Sequence, residues 1–176
     1  PSTHTLRLWD RVDRRQLHTI PIGFESRAIA FSSDGHQIAL PNRNNIYIFD
    51  TTSGELNRIV KAGCYVTKIT FASDDRILAI GCIDKTVRML NASSSKPTTA
   101  LHEHNYEKIR YSPDGRWLAT VYDRDIVQIW NANTGEHIRE IQREGSIWDL
   151  SFHPHQPWLA VGITDATIKV WDAISG

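Results

Sequence analysis

The 176 residues are 40% hydrophobic and 23% charged, the balance of a globular protein with enough chain for a sizeable core. Lys+Arg and Asp+Glu both number 20, so the formal net charge is zero. That weighs against a nucleic-acid or membrane-surface binder, which usually carries a basic excess, and no apolar run nears the roughly 20 residues that span a bilayer.

The opening PSTHT carries no initiating Met and no signal-peptide pattern, so the N-terminus reads as cut, processed or incomplete. Strand-like runs rich in Val, Ile, Leu, Thr and aromatics then follow, with turn residues every 8–12 positions. The first two lie at 4–10 and 15–20. Next comes IAFSSDG at 29–35, and the same phrase returns as ITFASDD at 69–75, IRYSPDG at 109–115 and LSFHPHQ at 150–156. Each is followed by a variant of HQIAL: RILAI, RWLAT and PWLAV. The strand endings RLWD, YIFD, RMLN, QIWN and KVWD place Trp9, Phe49, Leu90, Trp130 and Trp171 at spacings of 40, 41, 40 and 41, each before an Asp or Asn.

Three columns moving in phase identify an internal repeat of about 40 residues. Each unit holds four short runs, at 66–71, 77–81, 86–90 and 98–101 in the clearest case. SSDG and SPDG read as tight turns, with Asp tolerating the geometry and Gly supplying a positive φ. Four antiparallel strands with both faces apolar imply sheets stacked face to face, and a radial stack does this while leaving only short edges. The polar NASSSKPTT (91–99) reads as a mobile loop to the outermost strand.

At SPDGRWLATVYDRDIVQIWNANTG (112–135) and PWLAVGITDATIKVWDAISG (157–176) the chain resembles the WD-repeat family of β-propellers. It also resembles, less closely, the arrays attached to nucleotide-binding signalling modules. The resemblance implies an all-β propeller of WD-type four-stranded antiparallel blades, three complete and two partial. They run approximately over 26–60, 66–101 and 106–141, with partial blades at 4–20 and 147–172. It implies a segment of a longer chain, whose missing blades, or a second copy, would meet the open ends. It implies a scaffold for other proteins, without cofactor, nucleic acid or membrane.

The family's buried His–Ser/Thr–Asp–Trp network fits one unit only: His102, Thr120, an Asp at Asp123 or Asp125, and Trp130. Asp84 and Asp165 occupy the family's turn-Asp position, but their strand partners Ile80 and Val161 cannot hydrogen-bond. Packing and main-chain ladders are therefore expected to hold most blades. Trp9, Trp130 and Trp171 are expected to be structural, Trp117 and Trp158 to pack between blades, and Tyr65 and Tyr106 to pack under a loop. Arg27, Thr67, Glu107 and Trp148 share the column that rings one mouth of the family's central channel, so they form the candidate protein-binding rim.

Other chemistry finds little footing. HEH at 102–104 and HPH at 153–155 fall in loops on opposite faces and cannot share an ion, so no metal site is expected. No GxSxG, phosphate-loop or HExxH pattern occurs, and no enzyme is expected. Cys64 and Cys82 lack a metal or disulfide spacing and are expected to be free buried thiols, which points to an intracellular, cytoplasmic protein. The alternative function is a regulatory or sensing repeat domain of a multi-domain nucleotide-binding signalling protein.

Overall fold

Alternation along the second strand of each unit sets the architecture. Side chains on a strand point to opposite faces in turn. Leu78, Ile80 and Cys82 join one apolar cluster while Ala79, between them, joins another. A strand apolar on both faces needs a sheet on each side, so the units stack.

The computed structural model describes residues 4–94, 97–101, 106–142 and 145–175, and every regular element among them is a strand. A two-stranded sheet comes first, β1 (Thr5–Trp9) with β2 (Gln16–Pro21). The next has four strands in order: β3 (Ala30–Phe31), β4 (Gln37–Asn42), β5 (Asn45–Asp50) and β6 (Leu56–Lys61). The third holds β7 (Val66–Phe71), β8 (Ile77–Cys82), β9 (Val87–Asn91) and β10 (Pro97–Leu101). The fourth holds β11 (Tyr106–Tyr111), β12 (Trp117–Tyr122), β13 (Ile126–Asn131) and β14 (His137–Gln142). The last has three: β15 (Ile147–Phe152), β16 (Trp158–Ile163) and β17 (Ile168–Asp172). All pairings are antiparallel. The fold class read from the sequence is the one observed, and the sheets do not close into a ring. Within the polar 91–99 segment, β10 already begins at Pro97.

The apolar clusters are the layers between successive sheets. Leu6, Leu8 and Ile20 meet Ile38, Leu40 and Phe49. Ile46, Ile48 and Val60 meet Ile69, Leu78 and Ile80. Val87 and Met89 meet Ile109, Leu118 and Trp130. Val121, Val127 and Ile129 meet Leu150, Leu159 and Val161. Each fully buried aliphatic side chain contributes about 1.5–3 kcal/mol. First strands lie beside first strands, β7 next to β3 and β11, and β11 next to β15, so the stack fans out from them. The outer strands β2, β6 and β14 share one burial pattern, exposed except for the half-buried third residue and the buried fifth.

β3 is only two residues long, although the sequence places its run from 26. Pro41 stands in β4 where β8 has Gly81, and it has no N–H to give the first strand. The Ser26 hydroxyl donates to the Pro41 carbonyl instead, at 2.7 Å.

The Asp or Asn after the Trp column closes the following turn. Asp10 accepts from the N–H groups of Val12 and Asp13, and Asp50 from those of Thr52 and Ser53. Asn91, Asn131 and Asp172 accept in the same way from the residues two and three ahead. A short side chain with an oxygen at that reach suits this geometry. The main-chain bond from Asp13 holds the Asp10 carboxyl below its usual value of 3.8, and those from Ser53 and Ser175 do the same for Asp50 and Asp172. A carboxyl lowered in the folded state lends stability above its unfolded value and loses it as pH falls through the folded one. Melting temperature is therefore expected to hold level from pH 7 to about 5 and to fall below about pH 4. Asn at positions 10, 50 and 172, which keeps the acceptor but cannot titrate, should shrink that fall. An unchanged acid profile would remove these turns from the explanation.

Candidate protein-interaction rim

The three bulged first strands share one irregularity. Val66 pairs with Cys82 and Lys68 with Gly81, so Thr67 is an extra residue with no partner in the ladder. Tyr106 pairs with Tyr122 and Lys108 with Val121, which leaves Glu107 extra. Ile147 pairs with Ile163 and Asp149 with Gly162, which leaves Trp148 extra. A bulge re-aims one side chain out of the alternating pattern. In the clipped first unit Arg27 lies ahead of β3, outside any ladder.

The four side chains differ in what they offer. Trp148 is 69% exposed, far above what a Trp holding two sheets together would show. Arg27 is paired with Glu25 at 3.6 Å, and both are exposed. Glu107 is paired with Arg124 at 3.4 Å. The Thr67 hydroxyl donates to the Gly81 carbonyl at 3.1 Å and is half-buried. Beneath Glu107, Tyr106 is buried beside Tyr122, with ring centres 6.4 Å apart. Burial first, and then the neighbouring Tyr122, pushes the Tyr106 hydroxyl up to about 12.

Neighbouring sheets are tied at this end by main-chain bonds. The Val66 N–H donates to the Arg43 carbonyl at 2.8 Å, and the Ile147 N–H to the Arg124 carbonyl at 2.5 Å. Both arginines are in the left-handed region, with φ of 54° and 70°. Between the first two four-stranded sheets the rim opens into a cleft of about 710 Å³ that Arg27 and Thr67 both line.

Of the expected hydrogen-bond network, the Trp130 Nε1–H donates to Thr120 Oγ1 at 2.9 Å, with Thr120 wholly buried. His102 lies outside the described residues. Among the described residues, Asp123 and Asp125 sit in the turn between β12 and β13 and bond to neither Thr120 nor Trp130. Asp84 accepts from the Thr86 hydroxyl at 2.6 Å and pairs with Arg88, and Asp165 accepts from the Thr167 hydroxyl. Both brace their own hairpin turns.

Several expectations are corrected. Cys64 and Cys82 are not free thiols but are bonded to each other, with Cα atoms 5.9 Å apart. Cys82 faces Val66 across the ladder, and Cys64, two residues before Val66, reaches the same place. That adjacency depends on strand register, which two cysteines 18 apart do not disclose. The pairing removes the cysteines as an argument for a reducing compartment. Trp9 is 59% exposed, because among the described residues no sheet covers that face of β1. Trp158 is 45% exposed and lies edge-on to the His153 ring instead of filling a layer between sheets. Tyr65 is exposed on the wall of the cleft rather than tucked under a loop.

Two sets of inter-sheet clasps escaped the sequence reading. On the outer strands, His18 Nε2 contacts the Thr52 carbonyl at 2.9 Å, Arg58 Nε donates to the Ala92 carbonyl at 2.9 Å, and Arg139 Nη2 donates to the Ile174 carbonyl at 3.0 Å. On the turns between first and second strands, the Asp75 carboxylate accepts from the Ser33 N–H, the Ser33 hydroxyl and the Asp34 N–H. Asp75 stands where Gly35 and Gly115 stand in other units, at the same left-handed φ. The signal was an Asp in a glycine column.

The family model "WD domain, G-beta repeat" matches residues 54–91, 95–131 and 135–172. Each match begins just before the outer strand of one sheet and continues through the first three strands of the next, so the sequence unit is offset from the sheet. The chain is 25% identical to Serine-threonine kinase receptor-associated protein of Gallus gallus, over 98% of this chain and 50% of that protein. It is 24% identical to Apoptotic protease-activating factor 1 of Danio rerio, over 98% of this chain and 14% of that protein. It is 26% identical to Target of rapamycin complex subunit wat1 of Schizosaccharomyces pombe, over 73% of this chain and 42% of that protein. The chain thus spans half the length, or less, of these relatives. Among the described residues no helix is long and apolar enough to cross a membrane.

Proposed function

With three repeat matches across most of its length, this chain belongs to the WD-repeat family, and from that premise we propose that it is a non-catalytic scaffold that holds other proteins on its bulge-lined rim. The observation that carries this reading is Trp148. A bulge lifts it out of its ladder and leaves it 69% exposed, with a charged Arg27 and Glu107 on the same rim. Large aromatics and arginines supply most of the energy at protein interfaces. A receptor-associated protein and a complex subunit among the relatives fit such a role, and the setting that goes with this reading is intracellular and cytoplasmic.

The structural roles follow the same logic: Thr120 and Trp130 brace one blade, with Asp84 and Asp165 closing turns. Exposed apolar residues at the two ends of the stack, Phe31 and Trp9 at one and Ile168 and Val170 at the other, offer faces for further blades or a second copy. Replacing Arg27, Glu107 and Trp148 by Ala is expected to reduce capture of partner proteins while leaving the melt in place.

A second reading draws on the likeness to Apoptotic protease-activating factor 1 over nearly the whole chain. In this reading the chain is a regulatory or sensing repeat domain that would restrain a nucleotide-binding or catalytic module elsewhere in the same polypeptide. A phosphate-binding GxxxxGK[ST] loop upstream in the full reading frame would favour it, and its absence there would remove it.

A further inference from the structure

The repeats allow one rim position to be compared with another in the same molecule. In the fourth sheet Glu107 neutralises the turn arginine Arg124 at 3.4 Å. In the second sheet the matching places are held by Arg27 and Arg43, two cations. Arg43 and Arg124 are equivalent in the structure as well, since each carbonyl receives the first N–H of the next sheet. Glu25 pairs with Arg27, but both groups are well exposed and the pair is screened. Among the described residues no carboxylate lies within ion-pair distance of Arg43 or of Lys68.

Arg27, Arg43 and Lys68 line the same cleft of about 710 Å³, and among the described residues Glu25 is the one carboxylate that lines it. The Lys68 stem lies across from Gly81, where an added Cβ would come within 3.2 Å of Lys68 Cβ. Glycine there leaves the lysine room on the cleft wall. Beside them the wall carries two open apolar side chains, Ile83 at 66% exposed and Tyr65 at 43%. On a chain of zero net charge this is a local cationic pocket with an apolar patch inside it.

We infer that the cleft between the sheets β3–β6 and β7–β10 docks an acidic peptide segment of a partner protein. Arg43 and Lys68 meet its carboxylates, and Tyr65 and Ile83 receive an aliphatic or aromatic side chain between them. This rests on the rim reading and narrows it to a class of partner. Opposite charge at such a site steers encounter and rejects basic competitors.

The test uses the full chain and two short fluorescein-labelled probes, one alternating Asp and Leu, the other Lys and Leu, read by fluorescence polarisation. The acidic probe should bind about ten-fold or more tightly than the basic one, and added salt should weaken it. The double substitution Arg43→Glu/Lys68→Glu should weaken the acidic probe by about ten-fold or more. Arg116→Glu, an exposed arginine outside the cleft, should leave that binding unchanged. Equal binding of both probes, or undiminished binding by the double variant, would overturn the inference. So would full competition by inorganic phosphate, which would mark a simple anion site. Partner capture by the rim variant is a separate readout. If capture falls there while the cleft variant keeps both capture and the acidic probe, the rim stands and the cleft fails.

Discussion

Trp130→Ala should lower the stability of the chain by about 3–5 kcal/mol, while Trp9→Ala should change it by less than about 1 kcal/mol. The two tryptophans hold the same place in the repeat and lie on equivalent strands, β1 and β13. Trp130 is 8% exposed and packs in the layer shared with Val87 and Met89. Its indole N–H also satisfies the buried Thr120 hydroxyl. Removing it opens a cavity and orphans that hydroxyl, two costs that add. Trp9 is 59% exposed and bonds nothing comparable. Trp130→Phe should fall between, because the ring stays and the bond goes. Chemical denaturation followed by tryptophan fluorescence and circular dichroism reads all three. Equal losses at positions 9 and 130 would contradict the stacking order.

Ile80→Thr should cost about 2–4 kcal/mol, although Thr is what the next unit carries at the same place. Ile80 is wholly buried between the second and third sheets, among Ile48, Leu78 and Leu90. Thr120 is equally buried but has Trp130 as its donor. In the unit of Ile80 the Trp position is Leu90, which offers no hydrogen bond. A hydroxyl there is desolvated without compensation, and the lost methylene volume adds about 0.5–1.5 kcal/mol. Thr120→Val makes the reciprocal error, leaving the indole N–H without its acceptor. A neutral result for Ile80→Thr in the same denaturation assay would mean that this layer admits water or repacks freely.

These two cases show what the sequence discloses and what it withholds. The repeat columns disclose that a position recurs, and the all-β, stacked-sheet architecture follows from their spacing and from runs such as ILAIGC that are apolar on both faces. The Asp or Asn after the Trp column was legible as a pattern, and its reach to the two following N–H groups explains it. A column does not say whether a sheet covers the residue. Trp9 and Trp130 share one column, yet the first lies on an uncovered face and the second in a layer.

Contacts between sheets were the least legible. The outer-strand clasps made by His18, Arg58 and Arg139 recur at repeat spacing, but only the stacked geometry shows that an outer strand abuts the next sheet's turn. The Cys64–Cys82 bond likewise needs the register of β7 against β8. The rim column was visible as four unlike residues at one position. That Thr67, Glu107 and Trp148 are bulge residues was not visible, because a one-residue insertion common to those units leaves their spacing unchanged. The cationic cleft needs that geometry too, since Arg43 and Lys68 belong to neighbouring sheets.

The residues that hold the stack are distinct from those proposed to bind. The measurement that tests this most directly is partner capture by Arg27→Ala/Glu107→Ala/Trp148→Ala, taken beside its thermal melt on the same sample. The side chains lie on the rim and contribute little to the layers between sheets, so the melting temperature should stay within a few degrees of wild type. Capture should fall about ten-fold or more, with Trp148 alone accounting for most of the loss. Unchanged capture with an unchanged melt would contradict the account and move the binding surface elsewhere on the stack.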